Sequence, residues 1–392
     1  MTVQTLTLSN FRNIGEMVFS PCDGVNIIYG DNAQGKTNLI EALWLFTGAK
    51  SFRGAKDAEM MTFGSERSSL GLSFTAEGRG QTAEIRFLGD AGKRRKEVLL
   101  NDVPKTSVNA LASKFCAVVF SPAHLAIVSD GPSERRRFMD IAITQVRPLY
   151  DRLMSDYQKA LAQRGALLRE LAYHSQLMDT VALWDERLAR TGASIMRLRM
   201  KYIKRLDTEA AEIYRGIAGD KEHLHTVYRP SIPLKDPDCA DPRVLYEEIL
   251  TCLRENLKED IRTGVTNYGI HRDDLELTID GMAVKLYGSQ GQRRSAVLSL
   301  KLAESSLLKE VQGENPIILL DDVMSELDSA RQEYILNHVK DRQVFITCCD
   351  SSVCGCLRRG KTFYISQGEI AEGTEEQPPA CPLPSPDLAA GP

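Results

Sequence analysis

The chain has 392 residues, too many for one ordinary globular domain and too few for three, and its 43% hydrophobic share suits a packed core. A formal net charge of −4 excludes a surface coated in basic residues, so any contact with nucleic acid has to come from a local patch. No apolar run approaches the roughly 18 residues that span a bilayer, and Met1 to Asn10 has neither region of a signal peptide, which places the protein in the cytoplasm.

The first third of the sequence reads mainly as strands. Val3 to Leu8 alternates, Gly24 to Tyr29 is an apolar run, and Leu70 to Phe74, Ala83 to Leu88 and Glu97 to Leu100 form an antiparallel series closed by a turn at Asn101-Asp102. Cys116 to Phe120 is a further buried strand. From Ser133 the period becomes helical: Tyr150, Leu153, Tyr157 and Leu161 recur at helical spacing, as do Trp184, Leu188, Ile195, Leu198, Tyr202 and Leu206. These runs predict two long helices that form an antiparallel pair, and a third helix over Pro242 to Leu257 follows a loop from Pro230 to Asp241. Strands resume at Asp274 to Ile279 and Met282 to Leu286, flanking the hairpin turn Asp280-Gly281. A helix over Gln290 to Val311, a buried strand Pro316 to Leu320, a helix Ser329 to Lys340 and a strand Gln343 to Thr347 complete the order.

Strands at both ends and helices in the middle predict an α/β head assembled from both termini with an inserted α-helical lobe. The expected divisions are 1–132 for the first part of the head, 133–265 for the lobe or arm, 266–370 for the second part, and a disordered tail over 371–392, rich in proline and small residues.

Between the apolar run Gly24 to Tyr29 and a helical stretch lies Gly30-Asp31-Asn32-Ala33-Gln34-Gly35-Lys36-Thr37, followed by Asn38. This is the context a P-loop requires. Its glycines let backbone N–H groups turn around phosphates, Lys36 reaches the β and γ phosphates, Thr37 holds Mg²⁺, and the helix start adds its positive dipole end. The implied cofactors are ATP and Mg²⁺. Ile317 to Leu320 ends in Asp321-Asp322; the first carboxylate can hold Mg²⁺ through water opposite Thr37, and the second, Asp322, is the candidate catalytic carboxylate that orients the attacking water. Ser289-Gln290-Gly291-Gln292 opens a helix directly after a hairpin, offering a hydroxyl, a close-approach glycine and helix N–H groups to an anion. Taken alone, Ser289 reads as an ordinary helix cap. The order of loop, long insertion, Ser-Gln-Gly-Gln, Asp-Asp and Ser325 to Asp328 favours the anion site.

Nine cysteines, scattered through apolar stretches, suit a reduced compartment. Cys348, Cys349, Cys354 and Cys356 cluster in sequence, but neighbouring strand side chains face opposite ways, which argues against a shared metal. Lys93 to Lys96 and Arg135 to Arg137 are basic clusters that either touch DNA phosphate or form solvated or paired faces. His271, Arg272 and Asp273 line a nucleotide cleft or stabilise a strand entry.

The motif order resembles ABC-type ATPase heads. More specifically, Leu8 to Asn13, Gly30 to Asn38, Ser51 to Arg53, Phe120 to Pro122, Ser133 to Asp140, His271 to Asp274, Gly288 to Arg294 and Leu320 to Asp328 together resemble the RecF family of bacterial recombination mediators, over about Thr2 to Ile370. The resemblance implies an ATP-induced homodimer in which the Ser289 to Gln292 signature covers the γ-phosphate on the partner's P-loop. It also implies binding to single-stranded and gapped or junction duplex DNA. Its implied role is to help load RecA at single-strand gaps with RecR and RecO, in recombinational repair, fork maintenance and the SOS response. Two departures stand out from the wider ABC pattern: Asp322 replaces a glutamate, and Thr347 stands where many members carry histidine. The shorter acid implies slow hydrolysis, with ATP as a dimerisation switch. The strand Cys116 to Phe120 lacks the glutamine that senses the γ-phosphate. The alternative reading is the ATP-binding subunit of a membrane transporter, against which the long helical insertion argues.

Overall fold

The computed structural model describes residues 1–90, 93–112, 114–171, 174–349 and 360–372. In chain order the first elements are β1 (Thr2–Phe11), β2 (Ile14–Phe19), β3 (Val25–Tyr29), α1 (Lys36–Leu45), β4 (Arg67–Ala76), β5 (Arg79–Asp90), β6 (Lys93–Leu100) and β7 (Val103–Lys105). Then come β8 (Ala117–Phe120), α2 (Ala126–Ser129), α3 (Pro132–Val146), α4 (Leu149–Leu171), α5 (Met178–Ala218), β9 (Leu224–Arg229), α6 (Pro242–Glu255) and α7 (Leu257–Thr263). The chain continues through β10 (Asp274–Ile279), β11 (Met282–Ala283), α8 (Val284–Tyr287), α9 (Gln290–Gln312), β12 (Ile317–Asp321), α10 (Ser329–Val339), β13 (Val344–Cys348), β14 (Gly360–Ser366) and β15 (Glu369–Glu372). Contacts divide the chain into two compact units: Met1–Leu43, Ala55–Pro104 and the described residues from Ile317 onward form one, and Trp44–Gly54 with Lys105–Pro316 the other.

The first unit contains two kinds of sheet, and their sequences show why. In the antiparallel sheet, ordered β2-β1-β4-β5-β6-β7, β4 alternates buried Ser68, Leu70, Leu72 and Phe74 with partly exposed Ser69, Gly71 and Ser73. One face is packed and the other is solvated, the usual state of an antiparallel sheet. Asn101 and Asp102, at φ 52° and 61°, make the tight turn after β6. By contrast β14, β3, β13 and β12 are parallel neighbours, and every residue of β12 and β13 is buried. Two covered faces demand the continuous apolar runs Ile317 to Leu320 and Val344 to Ile346.

The second unit is mainly helical. α5 packs against α4, α6 and α9 through a stripe that includes Leu188, Ile195, Tyr202 and Leu206, and it stops at Gly219, whose φ of 64° supplies the left-handed C-cap. β9, β10 and β11 form a three-stranded sheet turned by Asp280-Gly281.

Several elements depart from the sequence expectation. Met282 to Leu286 is not one strand: only Met282 and Ala283 pair, and a helical turn over Val284–Tyr287 follows, closed by the Gly288 N–H on the Val284 carbonyl at 3.0 Å. The third helix breaks at Asn256 into α6 and α7. β2, β9, β14 and β15 carried no recognised signal. The expected tail beyond residue 372 lies outside the described residues, as do Cys354 and Cys356 in the stretch 350–359.

Candidate nucleotide site

The loop between β3 and α1 is held in a shape that only its own residues allow. Gly30 has φ 150°, and a Cβ there would lie 2.2 Å from the Ile365 carbonyl oxygen; Gly35 has φ 112°. Ala33 accepts φ 65° without being glycine. The β14–β15 turn and the β1–β2 turn brace the loop from outside. The Gly368 N–H donates to the Gln34 carbonyl at 3.0 Å, the Gln367 N–H to Gln34 Oε1 at 2.5 Å, and Asn13 Nδ2 to the Ala33 carbonyl at 3.2 Å. Asn38 Nδ2 in turn donates to Asn13 Oδ1 at 2.7 Å. Asp31 and Asn32 sit at the exposed crest, where the exposed Cys349 thiol meets Asn32 Oδ1 at 3.2 Å.

Lys36 is 7% exposed, and its ammonium donates to the carbonyls of Gly30 at 2.6 Å and Asp31 at 2.7 Å. The loop thus presents a cation, and the positive end of the α1 dipole, to the space it encloses. Across it, Asp321 is 4% exposed and its Oδ1 accepts from Thr37 Oγ1 and Thr347 Oγ1, each at 2.9 Å. Thr347 has a single hydroxyl proton and donates it to Asp321, leaving its oxygen to accept the Asp322 N–H at 2.9 Å. That bond holds Asp322 at φ 54°, with Ser325 Oγ 3.3 Å from its Oδ1. The strand order β3-β13-β12 in the sheet explains the assembly: β13, between the loop strand and the Asp-Asp strand, carries Thr347 next to its last residue, and Thr347 ties both aspartates to one hydroxyl. Thr347, noted in the sequence only as a departure, is therefore a connecting residue. Asn13 and Gln367 were not recognised as braces, although Asn13 lies within a quoted motif.

These donors fit a magnesium nucleotide. A hydroxyl and a carboxylate oxygen 2.9 Å apart, both hard oxygen ligands, converge beside a lysine cation.

Ser289 and Gln292, in the second unit, form a reciprocal cap at the start of α9. Gln292 N donates to Ser289 Oγ at 3.2 Å, Ser289 N donates to Gln292 Oε1 at 2.8 Å, and Gln292 Nε2 also donates to Glu222 Oε1 at 2.9 Å. The Gln292 side chain is spent on these bonds. Ser289 and Gln290 remain exposed and Gly291 half-buried, so the helix start is open to an incoming group.

Other sequence candidates are occupied. Arg135 makes a bidentate pair with Asp274 at 2.6 and 2.9 Å, Arg136 donates to the Asp273 carbonyl at 2.7 Å, and Arg137 donates to the Ser51 carbonyl. Asp273 is fully buried and accepts from Arg199, the Ser231 N–H and Tyr228. His271 Nε2 faces the Thr266 carbonyl, which can only accept, so its proton is there and Nδ1 takes the Tyr157 hydroxyl at 2.9 Å. Burial lowers its pKa, in keeping with a neutral ring. The His-Arg-Asp-Asp run thus stabilises the entry to β10. In the other basic cluster, Lys96 reaches Asp57 and Arg95 reaches Glu97, both at 3.4 Å.

A family model described as the RecF/RecN/SMC N terminal domain matches residues 2–368. Two solved structures of Smc head domains, one derived from Pyrococcus furiosus, share the fold at TM-scores of 0.54 and 0.56 and 14% identity, each covering at least 95% of both chains. The fold is therefore that of an ABC-type ATPase head of the SMC kind. The DNA replication and repair proteins RecF of Alkaliphilus oremlandii and Acetivibrio thermocellus are 40% and 38% identical, over 94% and 93% of this chain and 100% and 98% of theirs. A structure described as the recombination mediator protein RecF-ATP in the RecFOR pathway superposes at a TM-score of 0.88 and 32% identity, over 95% of this chain and 98% of that one. The chain belongs to the RecF family.

Proposed function

We propose that this protein is an ATP-dependent DNA-binding switch of recombinational repair. In this reading ATP and Mg²⁺ bind at the Gly30 to Asn38 loop, and a second copy completes the site with Ser289 to Gln292. The carrying observation is the cluster of Lys36, Thr37, Asp321 and Thr347, set in a chain whose relatives include a RecF-ATP structure. RecF-family membership displaces the transporter reading. Among the described residues no helix is long and apolar enough to cross a membrane.

Bound Mg²⁺ would neutralise the charge shared by the β and γ phosphates. The chain's own residues do the rest. Lys36 would exchange the Gly30 and Asp31 carbonyls for phosphate oxygens, and the Thr37 hydroxyl and the Asp321 carboxylate would hold the ion. Asp322, fixed by Thr347 and Ser325, orients the attacking water. As the shorter acid it reaches less far, so hydrolysis is slow and resets the dimer. DNA, RecR, RecO and RecA are the partners this role requires.

The test is mass in solution with no nucleotide, with ADP and with ATP plus Mg²⁺. Wild type should double only with ATP. Lys36→Met should stay monomeric through lost nucleotide binding. Ser289→Arg should bind ATP as a monomer yet fail to dimerise, because a bulky cation blocks the partner's approach. A Ser289→Arg protein that still doubles would refute the shared site.

A further inference from the structure

The outer face of α5 carries a row of cations that have no carboxylate partner among the described residues. From Arg187 to Leu206 the sequence contains no aspartate or glutamate. Arg187, Arg190, Arg197, Lys201 and Lys204 follow one another at helical spacing, with Ser194 filling the intervening step. At 100° per residue their row lies opposite the buried line of Leu188, Gly192, Ile195, Arg199, Tyr202 and Leu206. Glu186 precedes the row, and Asp207, Glu209 and Glu212 follow it; Asp207 accepts from the Thr226 N–H and faces His225.

Other exposed cations of this protein are paired. Arg205 pairs with Glu310, Arg215 with Asp220, Arg229 with Glu276 and Arg262 with Glu259. Among the described residues none of the five cations in the row has a carboxylate within 4 Å. Arg187 instead lies over the Trp184 ring at 6.0 Å, and Arg197 Nε is buried with no hydrogen-bond partner. In a chain of net charge −4, a row with no carboxylate partner among the described residues attracts a polyanion.

We infer that this stripe of α5 is a phosphate-tracking surface for DNA, an inference that rests on the DNA-binding reading above. Arg187 to Lys204 spans about 26 Å, the length of roughly seven or eight phosphates of one strand at 3.4 Å per step. Arginine and lysine heads at helical spacing contact the backbone and carry no base code, so the stripe binds without regard to sequence.

The experiment titrates the full chain, with ATP and Mg²⁺, into a fluorescent gapped duplex at several salt concentrations. Arg190→Gln/Lys201→Gln/Lys204→Gln alters only exposed positions with a good helix former. It should weaken binding on the order of 10- to 100-fold and reduce the log–log salt slope by about three. ATP-driven doubling of mass should persist. Arg86→Gln/Arg229→Gln/Arg262→Gln removes the same charge from carboxylate-paired positions and should leave the slope within about one unit of wild type. A stripe variant that matches wild type in affinity and slope overturns the inference and leaves the row to an acidic protein or to solvent. Equal losses in both triple variants also overturn it, because net charge alone would then be responsible. A wild-type chain that binds no DNA in any nucleotide state sinks the DNA-binding reading itself.

Discussion

The candidate site and the helical unit hold their buried charges in opposite ways. At the strand ends of the unit with the parallel sheet, Asp321 and Lys36 are held by neutral donors or by carbonyls: Thr37 and Thr347 on Asp321, the loop carbonyls on Lys36. A ligand can take over each of those bonds. In the helical unit, charge meets charge: Arg164 bridges Asp185 and Asp260 at 2.6 Å each, and Arg199 bridges Asp140 at 2.8 Å and Asp273 at 3.1 Å. Those clusters are complete in themselves. Reactive residue types therefore mark a site only where the fold leaves their bonds exchangeable, which is why Asp321 and Asp273, each followed by a second aspartate, differ in purpose.

The largest expected effect probes the closed clusters. Arg164→Ala leaves two buried carboxylates uncompensated and should lower stability by about 3–5 kcal/mol in urea unfolding. A loss under about 1 kcal/mol would show that the ion cluster is not what holds α4 to its neighbours. A smaller effect comes from His124, whose imidazole is kept well below its ordinary pKa of 6.5 by burial and by the Lys301 and Arg137 cations. The folded protein keeps this ring neutral while the unfolded chain takes up a proton below that value. Stability should fall as pH drops from 7.5 to 5.5, by about 1.4 kcal/mol from this group. His124→Gln should flatten that part of the pH profile, and an unchanged profile would remove the assignment. The smallest effect belongs to the exchangeable bonds: Thr347→Val should cost about 1 kcal/mol. Hydrogen exchange should place the loss at Asp322 and β13 and leave α4 and α5 unchanged.

Much of this was legible in the sequence because the relevant signals are local. Gly30, Gly35 and Lys36 declare a loop by spacing, and Ile317 to Asp322 declares a covered strand ending in carboxylates. The late strand β14 was not legible, because it owes its conformation to a partner remote in sequence: it pairs with β3 across more than three hundred residues. β2 and β15 are short edge strands that pair only with their neighbours β1 and β14, and each is too brief to show a clear alternation. Thr347 was undervalued for the same reason as β14. A lone threonine has no periodicity, and its role exists only where β13 lies between β3 and β12. The Arg135 to Arg137 run, open in the sequence between DNA contact and a paired face, proves to be paired, but its partners Asp273, Asp274 and Ser51 are invisible to a reading confined to one helix.

The pressing of Gly30 against Ile365 has a consequence for how the chain is made. About 330 residues separate the end of β3 from the start of β14, so at roughly 5–20 residues per second the ribosome needs about 15–65 s to deliver the strand that backs the loop. The helical unit is complete in the nascent chain before that time, since it ends at Pro316. Synthesis therefore imposes an order, in which the arm can fold while β3 waits. The bonds from Gln367 and Gly368 to Gln34 form only after those residues have emerged, so a chain released early carries a complete helical unit and an unbraced loop.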